Sequence, residues 1–273
     1  MPLRLPTACG FTLMDFAERV ALITGASEGL GAATARALER RGVRLALVAR
    51  TESRLRDVSP GALHLPGDLT DARFRSNLAA RVLEHYGRLD ILVNNAAVGL
   101  YAPSWRAPLE ATRAMFELNW YAPLDLIQQV VPHMRERRSG MIVNISSIAG
   151  QMTLPWFTLY SASKSALGAL SDGLRMELAA SGVRVMLVLP GYMNTGFQKH
   201  VLSGAPPPRL VSGKRFGVTA DECAAKIVAG IERDARTIVT PSTGRWIVGL
   251  FRLAPTLVEA QLRRIQQSSE GPE

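Results

Sequence analysis

Cysteine is nearly absent from this 273-residue chain, which has only Cys9 and Cys223. Two thiols so placed give no disulfide framework and no metal site, so no metal is expected and a reducing cytoplasm suits the chain. Lysine is scarce as well: Lys164, Lys199, Lys214 and Lys226 are the four among 32 basic residues, and genomic codon bias is the simpler account of that skew. No run reaches the ~18 uninterrupted apolar residues of a membrane-spanning helix. The greasiest stretch, Trp246 to Val258, is broken by Arg252 and Pro255, so a soluble body is expected. Residues 1–13 contain two prolines and lack the apolar stretch and cleavage site of a secretory signal. They read as a flexible N-terminal tail, and Met14 as a natural domain start that could serve as the true initiator. Mass spectrometry of the native protein finding only the Met1 form would exclude that start.

The net charge is +9, a sign that can mark nucleic acid or anionic membrane as partner. The basic residues are scattered over most segments, however, with only short clusters such as Arg135, Arg137 and Arg138. No nucleic-acid partner is therefore expected.

With 47% apolar residues, the chain can bury one substantial core as a single domain. From Val20 onward, short β-type runs alternate with helical patterns, the signature of βαβ units and a parallel sheet covered on both faces. Strands are expected at 20–24, 44–49, 62–65, 91–94, 141–146, 184–189 and 237–240, about seven in all. Helices are expected at 30–41, 72–86, 109–137, 161–181 and 220–233. Gly42, Gly87, Gly140 and Gly182 follow four of these helices, where a left-handed cap favours glycine. The fold class is thus α/β, a Rossmann-type doubly wound sheet. The main domain is expected at 14–241, with an irregular loop at 192–219 and an apolar C-terminal extension at 242–273.

Thr24-Gly25-Ala26-Ser27-Glu28-Gly29-Leu30-Gly31 joins the first strand to the first helix. Gly25 and Gly29 let the backbone turn tightly toward a pyrophosphate, Gly31 permits close packing, and the helix N-terminus offers free N–H groups. Ser27, Glu28 and Leu30 share that turn as candidate cofactor contacts. At the end of the second strand, Arg50 stands where an acidic residue would bind the ribose hydroxyls of NAD. An arginine there can pair with a 2′-phosphate, Ala49 leaves room, and Thr51 and Arg54 could assist. NADP(H) is therefore favoured over NAD(H), although Glu28 adds negative charge nearby.

Tyr160 and Lys164 are four residues apart, on one face of a helix. A tyrosine with a pKa of ~10 is a poor base, and an ammonium ~4 Å away supplies roughly 4 kcal/mol of phenolate stabilisation at an effective dielectric near 20. Taken alone, such a pair is common. Here a strand delivers Ser146 and Ser147 to its C-terminal end, thirteen residues before Tyr160, where ligands bind in such sheets.

The ordered set Gly25/Gly29/Gly31, Asp68-Leu69, Asn94-Asn95-Ala96-Ala97, Asn119, Ser147, Tyr160, Lys164 and Pro190-Gly191 with Thr195 resembles the short-chain dehydrogenase/reductase family from Phe16 to Thr240. The resemblance implies that Asp68 and Leu69 contact the adenine, and that Asn94 supports the sheet and the nucleotide beside Asn95. Asn119 would hold a water in a proton relay, and Ser147 would donate to the substrate oxygen. Lys164 would bind the nicotinamide ribose and depress the Tyr160 pKa, Tyr160 would transfer the proton, and Pro190, Gly191 and Thr195 would bind the carboxamide. Ala97 replaces the usual glycine, and Ser146 is assigned to structure.

By the family pattern Val98, Gln151, Met152, Leu154, Phe157, Tyr192, Phe197 and Leu202 surround the reacting centre. A hydrophobic ketone, aldehyde or secondary alcohol is expected, with a hydroxysteroid-type dehydrogenase, a 3-oxoacyl thioester reductase or a non-enzymatic dinucleotide-sensing or membrane-surface interaction protein as alternatives. Ala162, Ala166 and Ala169 suit close helix packing in the homodimers or homotetramers usual in the family. The 242–273 extension is expected to cover the pocket, a partner subunit or, peripherally, a membrane surface.

Overall fold

The computed structural model describes residues 14–193, 196–205 and 217–267. Seven parallel strands form one sheet: β1 (Val20–Thr24), β2 (Arg44–Ala49), β3 (Leu63–Pro66), β4 (Ile91–Asn94), β5 (Gly140–Ile145), β6 (Val183–Pro190) and β7 (Thr237–Thr240). Their order is β3-β2-β1-β4-β5-β6-β7. The chain therefore reverses direction across the sheet between β1 and β4, and a crevice opens at the C-terminal ends of these two strands.

Alternation along each strand divides the core. Ala21 and Ile23 of β1 face the side covered by α1 (Gly29–Glu39), α2 (Glu52–Val58) and α8 (Ala220–Glu232). Val20 and Leu22 face α4 (Leu78–Tyr86), α6 (Ala122–Glu136) and α7 (Thr158–Glu177). Both faces are apolar because successive side chains point to opposite sides of a strand, and helices cover both. Met14 and Phe16 are buried in the first of these cores, and the Met14 amide donates to the Glu232 carbonyl at 2.9 Å.

The differences from expectation have local causes. The helix expected over 72–86 is two, α3 (Ala72–Arg75), capped by the Asp71 side chain, and α4, which starts after Asn77. The helix expected over 109–137 is α5 (Leu109–Phe116), a wider π turn at Glu117–Tyr121, and α6. Pro123 lacks the N–H that an α-helix would donate to the Asn119 carbonyl, so the regular ladder cannot run through. Gly140 is not a cap. It begins β5, where a Cβ would lie 2.4 Å from the Met134 sulfur, and Arg138 takes the left-handed conformation instead at φ 49°. The C-terminal extension forms α9 (Gly244–Leu253) and α10 (Pro255–Gln267). Among the described residues no helix is long and apolar enough to cross a membrane.

Candidate active site

The turn after β1 is built around two glycines in the left-handed region, Gly25 at φ 62° and Gly29 at φ 56°. At Gly31 a Cβ would sit 2.1 Å from the Gly25 carbonyl oxygen, so α1 and the turn approach at a distance that only glycine permits. Neighbouring strands hold this turn in place. Thr24 Oγ1 accepts from the Asn95 and Ala96 amides, and Asn95 Nδ2 donates to the Thr24 and Gly25 carbonyls. Asn95, a candidate for the cofactor, thus buttresses the cradle while also facing the crevice.

On the neighbouring strand, β5 carries Ser146 and Ser147 past its C-terminal end. Ser146 Oγ donates to the Lys164 carbonyl at 2.8 Å, which is the structural role expected of it. Gly150 lets this turn approach α7, since a Cβ there would fall 2.9 Å from both the Lys164 backbone and Ser146 Oγ. Ser147, whose hydroxyl donates to the Pro190 carbonyl at 3.5 Å, shares the cavity wall with the Tyr160 phenol. Tyr160 and Lys164, one turn apart on α7, are both buried. The Lys164 ammonium lies 5.8 Å from the Tyr160 ring centre and donates to the Ile145 carbonyl at 2.9 Å.

Burial governs the protonation of this pair. It raises the Tyr160 phenol above its ordinary range, with the Ser147 hydroxyl opposing and Tyr101 reinforcing the rise. It also brings Lys164 down to about 7. The expected depression of Tyr160 by Lys164 is thus corrected for this protein alone: desolvation disfavours phenolate and ammonium separately, and their attraction does not overcome it.

Asn119 occupies the π turn and is fully buried. Both amide protons are committed, to the Val98 carbonyl and to Ser163 Oγ, while Oδ1 accepts from the Val98 amide. Its side chain therefore pins the loop after β4 to α7. Asn94, likewise buried, bonds Asn144 on β5 at 2.9 Å.

A cavity of about 920 Å³ joins these parts. It is lined by Gly25, Ser27, Glu28, Gly29, Leu30, Arg50, Asp68, Leu69 and Asn95 at one end, and by Ser147, Tyr160, Lys164, Pro190 and Gly191 at the other. Gly31 and Asn119 support it from behind, and Thr195 lies outside the described residues. Arg50 is exposed on this wall, with no hydrogen bond or ion pair among the described residues. Glu28 is less of an obstacle to a phosphate than its charge suggests, because its carboxylate meets Arg54 at 3.5 Å and bonds His200. Asp68 lines the wall while accepting from the Thr70 amide and hydroxyl.

Beyond Tyr160 the walls are apolar. Val98, Met152, Leu154, Phe157, Tyr192, Phe197 and Leu202 line them as expected. Gln151 does not, because its amide oxygen turns outward to accept from Arg252 at 2.6 Å. Sequence reasoning missed Tyr101, whose ring stacks on Phe157, which in turn stacks on Tyr160. Burial pushes the Tyr101 phenol up to about 12. No spacing rule links Tyr101 to Tyr160; the loop after β4 brings them together. Cys223 takes no part, buried on α8 with its thiol raised to about 12 by desolvation.

The sequence profile of the short chain dehydrogenases matches residues 19–205. The chain belongs to the short-chain dehydrogenase family. Among curated relatives, a "Dehydrogenase/reductase SDR family protein 7-like" of Anopheles gambiae is 32% identical over 254 residues, spanning 88% of this chain and 80% of the relative. A short-chain dehydrogenase from Burkholderia cenocepacia, solved with NADP, superposes with a TM-score of 0.77 at 29% identity, covering 91% of this chain and 99% of the other. The fold is shared as well by a member from Burkholderia phymatum solved with NAD, at a TM-score of 0.79 and 24% identity over 96% and 99% of the two chains. This dehydrogenase is accordingly an oxidoreductase acting on CH–OH and carbonyl groups with a nicotinamide dinucleotide.

Proposed function

We propose that the enzyme interconverts a hydrophobic ketone or aldehyde and its alcohol with NADP(H), with Tyr160 as acid/base. The observation that carries this reading is the Tyr160 phenol, beside Ser147 and backed by Lys164, at the junction of a glycine cradle and an apolar chamber. The cradle fits a dinucleotide, since Gly25 and Gly29, both in the left-handed region, carry the backbone along the cavity wall to the N-terminus of α1, and Arg50, without a carboxylate partner among the described residues, fits a 2′-phosphate. A bound nicotinamide dinucleotide supplies the hydride.

The protein's own residues handle the oxygen and the proton. Ser147 donates a hydrogen bond to the substrate oxygen, and Tyr160, kept protonated at neutral pH by burial, gives its proton to that oxygen as the alcohol forms. The phenolate left behind favours the charged form of Lys164, which lies on the same helix face one turn away, and is stabilised by it in return. Leu69, Pro190, Gly191 and Thr195 complete the cofactor contacts, and Asn119 positions Val98 and α7.

The stacked Tyr101 and Phe157 rings favour a broad, flat substrate, which supports a hydroxysteroid-type dehydrogenase over a 3-oxoacyl thioester reductase as second reading. Residues 14–241 form the catalytic unit in this reading, with 192–219 as substrate loop, 242–273 as extension and 1–13, outside the described residues, as tail. The exposed Ala162 and Ala169 on α7 support a homodimer or homotetramer, working in the cytoplasm with peripheral membrane contact. The test follows nicotinamide absorbance with NADPH or NADH and a panel of hydrophobic ketones and aldehydes. Turnover with NADPH that Tyr160→Phe abolishes is the expected result; a preference for NADH would overturn the role of Arg50, and full activity of the variant would overturn that of Tyr160.

A further inference from the structure

Helices α9 and α10 bury only Gly244 among the residues whose burial is described, and none of those side chains. An amphipathic helix ordinarily turns its apolar stripe toward a core, yet here the stripe faces outward. Trp246 is 83% exposed and Leu253 is 89% exposed, with Leu250 and, on α10, Leu257 exposed beside them. At about 100° per residue, Trp246, Leu250 and Leu253 fall within an arc of about 60° around α9, so they form one continuous surface. Such a contiguous apolar patch marks a place where something docks.

The charge around the stripe identifies the occupant. The two helices carry Arg245, Arg252, Arg263 and Arg264 against a single acidic residue, Glu259, which is paired with Arg263. Arg245 and Arg252 flank the apolar arc on one side; the Arg245 stem can lie along apolar surface while its guanidinium reaches an anionic layer, and Arg252, held by the neutral Gln151 amide, adds its charge beside it. An apolar stripe with an aromatic residue and cationic flanks is the pattern of a helix lying in a lipid interface. A second copy of the same face would instead bring like charges together.

We propose that α9 and α10 dock the enzyme on an anionic lipid surface. The membrane contact of the preceding section thereby gains its site, and the cavity gains an orientation. Ile247, half exposed, also lines the cavity together with Thr243 and Gly244, so the stripe continues into its mouth. Arg252 tethers α9 to the β5–α7 turn through Gln151, next to Met152 on the cavity wall. Docking then sets the mouth against the bilayer, and an apolar substrate enters from lipid without crossing water; this last clause rests on the apolar-substrate reading.

The test is flotation of the full-length protein with vesicles of phosphatidylcholine mixed with phosphatidylglycerol, and with vesicles of phosphatidylcholine alone. Binding to the anionic vesicles should exceed binding to neutral ones by on the order of ten- to a hundredfold and fall as salt is raised. The triple variant W246A/L250A/L253A should lose at least about tenfold of that binding while oxidising NADPH with a water-soluble aldehyde at the wild-type rate. Quenching of Trp246 by brominated lipid, absent in W246F, places the stripe itself in the interface. Failure to float with either vesicle overturns the proposal, as does equal binding to both. A wild-type oligomer that floats with neither and becomes monomeric in the triple variant overturns it in favour of a second copy. Vesicle binding needs no turnover, so its failure leaves the oxidoreductase reading untouched, and an inactive protein that floats leaves the lipid surface standing.

Discussion

At the N-terminal ends of the strands, Asp90 is buried yet fully partnered. Its carboxylate takes hydrogen bonds from Arg88, Arg19 and the Val20 amide, with Arg137 at 3.9 Å, and its own backbone groups bond Val20 and Met141, so it joins the starts of β1, β4 and β5. At the C-terminal ends of the same sheet, Lys164 is just as buried, but the only hydrogen bond of its ammonium among the described residues goes to a carbonyl, and the Arg50 side chain makes none there. Charge is settled internally at one end and held in reserve at the other. The first arrangement contributes to stability, whereas the second leaves electrostatic energy for a ligand to recover.

Substitutions at the two ends should therefore move different observables. The largest effect is expected for Tyr160→Phe, a loss of about a thousandfold in kcat with dinucleotide binding retained, measured by steady-state absorbance and by fluorescence titration. Next is Asp90→Ala, which leaves a cluster of arginines without their anion; denaturant unfolding should show a loss of about 3 kcal/mol, with the KM for NADPH unchanged. Were that KM to rise as well, the separation of the two ends would fail.

Asp90 also predicts a pH limb. Burial pushes its carboxyl up, but the hydrogen bonds from Arg88, Val20 and Arg19 outweigh it and hold the folded value below the usual range. With the unfolded value near ~3.9, this stabilisation is present above that pH and is lost as pH falls through the folded value. Asp90→Asn should flatten that part of the acid unfolding curve.

A smaller effect is expected for Arg50→Ala, which should raise the KM for NADPH about tenfold and leave that for NADH nearly unchanged. Smallest is Glu28→Gln. By freeing Arg54 and removing a carboxylate from the cradle it should tighten NADPH about twofold to fivefold, measured by direct titration; weaker binding would mean that the contact with His200 matters more than the repulsion.

The glycine turn, the strand ends and the Tyr160/Lys164 spacing were legible because each is local. A left-handed turn, a two-residue alternation and a one-turn separation on a helix are written in consecutive residues. The π turn was hidden because Pro123 reads as a helix-start residue, and only the position of Asn119 one turn earlier shows what its missing N–H disrupts. Gly140 misled for a related reason, since a glycine after a helix can serve conformation or space, and here Met134 takes the space. Tyr101 and the outward turn of Gln151 lay beyond reach, as loops of irregular geometry place both.

The sequence by itself determined the parallel sheet, the crevice at its switch point and the residues that meet there, since repeating βαβ units with glycine-rich turns admit few other arrangements. The tertiary structure alone decided how those residues are charged and what surrounds them. Desolvation of Tyr160 and Lys164, the engagement of Glu28 by Arg54 and His200, and the outward stripe of α9 depend on what lies within a few ångströms in space, and electrostatics and burial act through space, not along the chain.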